Sequence, residues 1–574
     1  MNNQPVTIKN KIAELAEKRR KAMMLPAKEA MEMILSSRDA TPMVHSFAEQ
    51  DFYFLVNEIG MEDALELLSL ASNQQWEYML DVSTWQQDEI HIDTVVQWFD
   101  LLMRADASRF ARWMITDKAA FLELFLYYNI EVGVREHDQD PAEFGPDFFT
   151  FDDLYYVRFV QKGKCGMAGD ATADDFRQKV LYGFLKRLAE EDYEAYRDLL
   201  FYTTNVLPTE AEEEAYRLRN VRLAEKGLLP FEEAVAIYRF IKNRDQIAEK
   251  TAPAGILDTM MPVPFAPTTM IDRTTVFSQA LARIDSQDVL HDLQTEFAAL
   301  CNRIAVSDRM VVKGKKDLAH VVDKACGYIH VGVGETVDPG SDPDAEAAAS
   351  AMRRYYLTDL FRLGYSAVAA LKRRADKWYL TSWTIAHEMP LTFWGDRRQG
   401  VLGGLLVKRP LYYDQYQEGG IYREFQSPDE VAETGAGLDE VMMLDTLLKD
   451  AGLDPAPVAE AILTVENLVL TLWARHYLGL PAVVDFIDMV DFKRFFAALM
   501  KDDPDNPGRR KTREKMKGAF LDWFAGITGR TAYDLSQSAG KLFTALFGTI
   551  EESYGDVSPD DLDARYIDLF LVCE

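Results

Sequence analysis

The chain has 574 residues, of which 48% are hydrophobic and 27% charged, an ordinary globular composition with enough apolar residues for more than one core. A net charge of −30 and a pI near 4.8 repel nucleic acid and anionic lipid, so neither is expected as a partner, and favour cations or basic proteins. Cys165, Cys301, Cys326 and Cys573 lie far apart with no CxxC pair, which argues against a disulfide framework or thiolate zinc site and points to the reducing cytoplasm.

The first residues, "MNNQPVTIKNKIAELAEKRRKAMM", have charges at helical spacing and no apolar run of the kind a secretory signal needs. From 51 to 130, Leu55, Ile59, Ala64, Leu65, Leu67 and Leu68 form helical stripes broken at Gly60. Trp76, Tyr78, Met79 and Leu80 follow on the next element, and Trp98, Leu101, Leu102, Phe110, Trp113, Phe121 and Phe125 continue the pattern. Short amphipathic helices joined by polar turns predict a mainly α fold of stacked, superhelical hairpins over residues 1–250. An acidic loop, 135–153, offers Asp138, Asp140, Glu143 and Asp147 as oxygen ligands for a divalent cation, against the commoner reading of a solvated loop.

The stretch Leu207–Phe240, "LPTEAEEEAYRLRNVRLAEKGLLPFEEAVAIYRF", reads as a helical hairpin. Thr209 with Glu212 predicts a capping box, Glu213 with Arg217 an i, i+4 pair, and Lys226–Gly227 a helix end. Arg219 and Arg222 share a face and are expected to reach an acidic neighbour. Four prolines between Pro253 and Pro267 mark 251–270 as a connector to a second helical domain, 271–574.

In that second half helices are predicted at 275–333, 344–376, 428–450, 455–480, 483–501 and 511–550. The glycines of "HVGVGE" are expected to end a helix, and Ser427, Pro428 and Glu430 to start one with a capping box. "AILTVENLVLTLWA" is too short and too polar to span a membrane and reads as a buried helix. Residues 378–425, rich in glycine and aromatics, predict a small β or irregular insertion. The tail "LFLVCE" has no lipidation motif.

Motifs for metalloproteases, phosphate-binding loops, nucleophile elbows and calcium loops are absent from the sequence. His320, Asp323, Cys326 and His330 are the densest metal-capable set, but one helix rarely completes a coordination sphere, so a packed Cys326 with solvent-facing histidines is preferred and neither metal nor cofactor is expected. Arg397, Arg398, Lys408, Arg409 and Arg423 cluster among Trp394, Tyr412 and Tyr413, a combination suited to holding an anion or acidic partner, weighed against pairing with the chain's surplus acids. The basic run 508–518 reads as a solvated face.

Leu207–Phe240, "YLTDLFRLGYSAVAALKRRA" and "LDARYIDLFLV" together resemble a family of full-length bacterial cytoplasmic proteins catalogued as a domain of unknown function, which implies no activity, cofactor or catalytic residue. Residues 43–130 also resemble the short-helix superhelix at the cytoplasmic N-terminus of MgtE-type magnesium transporters. The expected function is a monomeric or weakly dimeric helical interaction or scaffold protein with a protein partner and no catalytic residues. An enzyme or anionic-ligand sensor with a site at 387–423, where His387 and Glu388 would do acid–base work, and a divalent-cation sensor are the alternatives.

Overall fold

Local stop and start signals set the helix boundaries of the computed structural model. It describes residues 4–86, 89–160, 171–226, 228–250, 266–310, 312–337, 342–417, 419–453, 463–504, 506 and 508–573. The chain divides into two compact units: residues 1–239, 245–329 and 344–362 form unit 1, and residues 240–244, 330–343 and 363–574 form unit 2. Most of the expected connector, 251–265, lies outside the described residues.

Unit 1 begins with α1 (Gln4–Met24), α2 (Ala27–Leu35), α3 (Ala40–His45), α4 (Glu49–Ile59), α5 (Leu65–Leu70) and α6 (Asn73–Ser83). Gly60 ends α4 at φ +101°, a conformation glycine adopts without a Cβ clash. Ser72 and Gln75 start α6 with a reciprocal capping box. A short β1–β2 ladder (Trp85–Gln86, Glu89–Ile90) leads to α7 (Ile92–Asp117) and α8 (Ala119–Asn129). The antiparallel hairpin of β3 (Ile130–Val134) and β4 (Tyr155–Phe159) pairs Ile130 with Phe159, and α9 (Ala171–Glu191), α10 (Tyr193–Thr203) and α11 (Pro208–Glu225) follow. The stripes read from the sequence converge here. Trp76 meets Phe110 and Trp113 edge-on, and Phe99 packs on Phe110, Phe125 and Phe184 with centroids 4.7–5.5 Å apart. Later helices complete the unit: α12 (Phe231–Ala234), α13 (Ala266–Thr269), α14 (Val276–Leu281), α15 (Gln287–Ser307), the first part of α16 (Lys315–Val337), α17 (Ala345–Arg354) and the start of α18 (Leu357–Tyr379). A buried amide pair, Gln50 Nε2 to Asn302 Oδ1 at 2.7 Å, links α4 to α15.

Unit 2 takes the ends of α16 and α18, then α19 (Trp383–Ala386), α20 (Asp396–Leu406), the β5–β6 hairpin (Tyr412–Tyr413, Tyr422–Arg423), α21 (Pro428–Ala451), α22 (Val465–Tyr477), β7 (Ile487–Asp488), α23 (Met489–Leu499), β8 (Met500–Asp502), β9 (Arg510–Thr512), α24 (Glu514–Thr528), α25 (Ala532–Tyr554) and β10 (Val572–Cys573). Its core is aromatic: Trp473 is met edge-on by Phe495, Phe520 and Phe547, and β10 lies parallel to β7. The fold is mainly α, every sheet among the described residues is two-stranded, and 378–425 is the insertion expected, short helices followed by a hairpin. Glycine makes that packing possible: a Cβ at Gly404 would run into the Leu411 carbonyl, and one at Gly400 into the Tyr413 ring. Among the described residues no helix is long and apolar enough to cross a membrane.

Several local expectations need correcting. Pro208 takes the first helical position of α11, so Thr209 lies inside the helix and makes no capping box, and Arg217 pairs with Glu214 at i, i+3 instead of Glu213. Ser427 does cap α21, but the Glu430 carboxylate accepts from Gln426 N (2.7 Å) instead of Ser427 N. The glycines of "HVGVGE" lie within α16, where Gly332 and Gly334 are buried and packing outweighs the roughly 1 kcal/mol helix penalty of each glycine. The helix expected from 483 starts at Met489, because Asp488 caps it and the residues after Pro481 form a loop and β7. Residues 454–462 lie outside the described residues.

Candidate functional site

The basic cluster of the insertion is drawn together only in part, and most of it faces carboxylates. Arg398, at the start of α20, donates through Nε to Glu440 of α21 (2.7 Å), through Nη1 to Glu466 of α22, and to the Trp394 carbonyl (3.2 Å). Burial works against its charge, but Glu466 and Glu440 outweigh it and raise its pKa above the ordinary arginine value. Arg423 bridges Asp414 and Glu430 at 2.8 Å each and stacks over Tyr412, 4.7 Å from the ring centroid. Arg397 reaches Glu433 at 3.5 Å on the surface, Lys408 is exposed, and Arg409 is half-buried. Tyr412 donates to Glu433 (3.0 Å), and burial together with that carboxylate pushes its hydroxyl pKa up to about 12. An anion arriving at Arg398 or Arg423 would meet two carboxylates around each guanidinium.

The other candidate groups are placed as follows. His387 stacks on Trp383 (4.3 Å between centroids) with Nδ1 2.9 Å from the Trp383 carbonyl, while Glu388 is exposed at φ +55°. In α16, His320 and Asp323 are exposed and Cys326 is buried, its thiol pKa driven well up by burial. His330 is not solvent-facing: Nδ1 lies 2.9 Å from Gln426 O and Nε2 2.9 Å from Asp342. Asp138, Asp140, Glu143 and Asp147 are exposed, Asp140 capping a 3-10 turn, and no group of three or more metal-capable residues occurs among the described residues. In the basic run, Arg509, Arg510, Lys511 and Lys517 pair with Asp556, Asp502, Asp503 and Glu514.

Arg219 and Arg222 of α11 do reach an acidic neighbour, and it is a buried one. Arg222 grips Asp81 of α6 with two hydrogen bonds (2.7 and 2.8 Å) and Arg219 donates to the Asp81 carbonyl (2.6 Å). Glu77 lies between Arg222 and Lys118. Asp81, Lys118 and Arg222 edge a small cavity of about 130 Å³ with apolar walls from Leu80, Phe121 and Leu218. Three cations share two carboxylates within the cluster, which suits fastening α11 to α6.

A larger concavity, about 650 Å³, lies in unit 2 between the end of α21, α22, α24 and the loop 478–486. Leu472, Val484 and Ile527 line its floor, Trp523 and His476 a wall, and exposed Asp522 its edge. The loop is fixed from beneath by buried Arg475, whose guanidinium donates to the carbonyls of Pro481 (3.2 Å), Asp485 (3.4 Å) and Phe486 (2.8 Å). Gly479 enters the loop at φ +72°. Exposed Val483 is part of its lining, and Tyr477, Phe486 and Val490 are also exposed on the segment 477–490, Val490 at 70%. Sequence reasoning missed this groove by absorbing 483–490 into a helix; the punctuation "LGLPAVVDFID", with Gly479 and Pro481 two residues apart, was the signal available.

A family model described as Family of unknown function (DUF6178) matches residues 7–573, nearly the whole chain. No curated protein and no solved structure matches the chain, and the likeness of residues 43–130 to the MgtE-type superhelix gains no support from these comparisons. The chain belongs to the DUF6178 family of unknown function.

Proposed function

We propose that the protein is a non-enzymatic helical interaction protein whose protein partner docks on the groove of unit 2. The observation that carries this reading is a concavity of about 650 Å³ whose lining includes the exposed Val483 and the Trp523 ring. An apolar concavity open to solvent is a common mark of a protein contact, and Trp523 supplies a large aromatic wall of the type that dominates binding energy. Arg475 holds the loop in place, so a partner would meet a surface ordered in advance. An anionic-ligand sensor at 387–423 has less support, because Arg398 and Arg423 are each already neutralised by two carboxylates.

The test is site-specific photo-crosslinking in native lysate with the full chain. A photoreactive residue at Val483 should give a discrete, identifiable protein adduct that is absent when the probe is placed at Tyr566, which is also exposed. No adduct at Val483, or the same adducts at both positions, rejects the groove as a docking site.

A further inference from the structure

We infer that the small cavity of unit 1, between the end of α6, the α7–α8 junction and α11, is a binding site for a small organic ammonium ion, with a body the size of a single aromatic ring inside and the charged nitrogen at Asp117. The volume of about 130 Å³ is close to the roughly 150 Å³ at which an apolar cavity takes up benzene, and well below that of a cleft for a drug-sized ligand. Buried Leu80, Asp81 and Thr84 form the inner lining, while Asp117, Glu214 and Leu218 are exposed and form the rim. The room comes from small side chains, since Ala211 and Ala215 lie one turn apart on α11 and Ala120 faces them from α8.

The charges of the lining set the sign of the ligand. Arg222 is held by Asp81 and Glu77, Lys118 by Glu77, and Glu214 by Arg217 (2.6 Å). Arg219, the third cation of the cluster, is not part of the lining: it donates to the Asp81 carbonyl and the Asn220 side chain and lies 5.7 Å from the Trp85 ring centroid. Among the described residues Asp117 alone of the lining charges has neither an ion pair nor a side-chain hydrogen bond. It is also the last residue of α7, where the carbonyl end of the helix disfavours a carboxylate and favours a cation. The same conflict arises at α6, whose last turn carries Asp81 and no basic residue, and there Arg222 resolves it. At Asp117 the chain supplies no such counterpart. An ammonium placed there meets an unspent carboxylate and a helix C-terminus, and Trp85 and Phe121 in the same lining offer ring faces that attract cations. An incoming carboxylate would meet Asp81, Asp117 and Glu214 instead.

The inference is tested by isothermal titration calorimetry of the full chain with ring compounds of similar size and different charge: benzylammonium, neutral benzyl alcohol and benzoate. Benzylammonium should bind, benzyl alcohol more weakly, and benzoate not at all. Asp117→Asn, at an exposed position, should weaken benzylammonium about fivefold, the scale of an exposed ion pair, and leave benzyl alcohol unchanged. Ala215→Leu fills the cavity and should abolish binding of both, with calorimetric unfolding confirming that the variant folds. Leu218→Arg, at a 40% exposed rim position, brings a cation to the mouth and should weaken the ammonium alone; it decides the matter should Ala215→Leu not fold. Asp138→Asn removes an exposed acid elsewhere and should change nothing. Absence of benzylammonium binding, equal binding of the alcohol or the benzoate, or a loss of less than about twofold with Asp117→Asn overturns the inference. Undiminished binding to folded Ala215→Leu, or to Leu218→Arg, overturns it by placing the ligand elsewhere, and a loss with Asp138→Asn equal to that with Asp117→Asn overturns it by reducing the attraction to that of any acidic chain.

Discussion

Replacing Arg398 with Gln should destabilise unit 2 markedly. The side chain is 18% exposed and its partners Glu440 and Glu466 are 31% and 20% exposed, so the three charges are mostly withdrawn from water. Glutamine removes the charge and cannot reach both carboxylates and the Trp394 carbonyl at once, leaving two like charges facing each other. Breaking a fully buried pair costs about 3–5 kcal/mol and an exposed one about 0–1. Partial exposure here puts the loss at about 2–3 kcal/mol. For a unit of this size each kcal/mol lowers the Tm by roughly 2–4 °C, so differential scanning calorimetry of the full chain should show a fall of about 5–10 °C. Adding Glu466→Gln should recover part of the loss by removing the repulsion, and Arg397→Gln, at a surface pair 3.5 Å apart, should change little. A fall of less than about 2 °C for Arg398→Gln would show that the guanidinium contributes little to the fold and would free it for an external anion.

Gly404→Ala should destabilise by about 1–3 kcal/mol, since its Cβ would meet the Leu411 backbone, whereas Gly548→Ala, with open space around it in α25, should raise stability by up to about 1 kcal/mol; chemical denaturation of both checks the sign. In a Cys165→Ser background, a thiol reagent should label Cys573 rapidly in the native chain and Cys301 and Cys326 only after unfolding, because burial raises the pKa of both and shields them. Tyr128, Tyr365 and Tyr412 should ionise near pH 12 in a spectrophotometric titration; their pKa values are raised above the unfolded 10, so the stability they lend is intact below pH 10 and lost as pH rises from 10 to 12. Asp563, drawn down from 3.8 to about 2 by hydrogen bonds from Arg565, should lend its stability above pH 3.8 and lose it as pH falls through about 2; carboxyl NMR on wild type and Arg565→Ala follows the shift.

Periodicity revealed what is local. The stripes from Leu55 to Phe125 became helices whose Trp76, Phe110 and Trp113 meet in one core, and the shared face of Arg219 and Arg222 led to Asp81. Pairing across long separations was not legible. Arg398 finds its partners 42 and 68 residues away, and no spacing rule connects a guanidinium on one helix to carboxylates on two others. Residues 483–490 misled for a different reason: Val483, Phe486 and Val490 have helix-compatible spacing, but Arg475 recruits the intervening carbonyls and stabilises a loop. Pro208 starts its helix two residues earlier than a Thr209 cap would, enough to turn a capping threonine into an interior one.

The amide pair of Gln50 with Asn302 has a consequence for synthesis on the ribosome. Its two side chains are separated by 252 residues, so at about 5–20 residues per second Gln50 emerges roughly 13–50 s before its partner exists. Through that interval α4 lacks the surface of α15, and the growing chain presents apolar faces that only later residues can cover. A slow codon stretch or a holding chaperone acting in that window would alter the yield of folded protein without altering the finished molecule's stability.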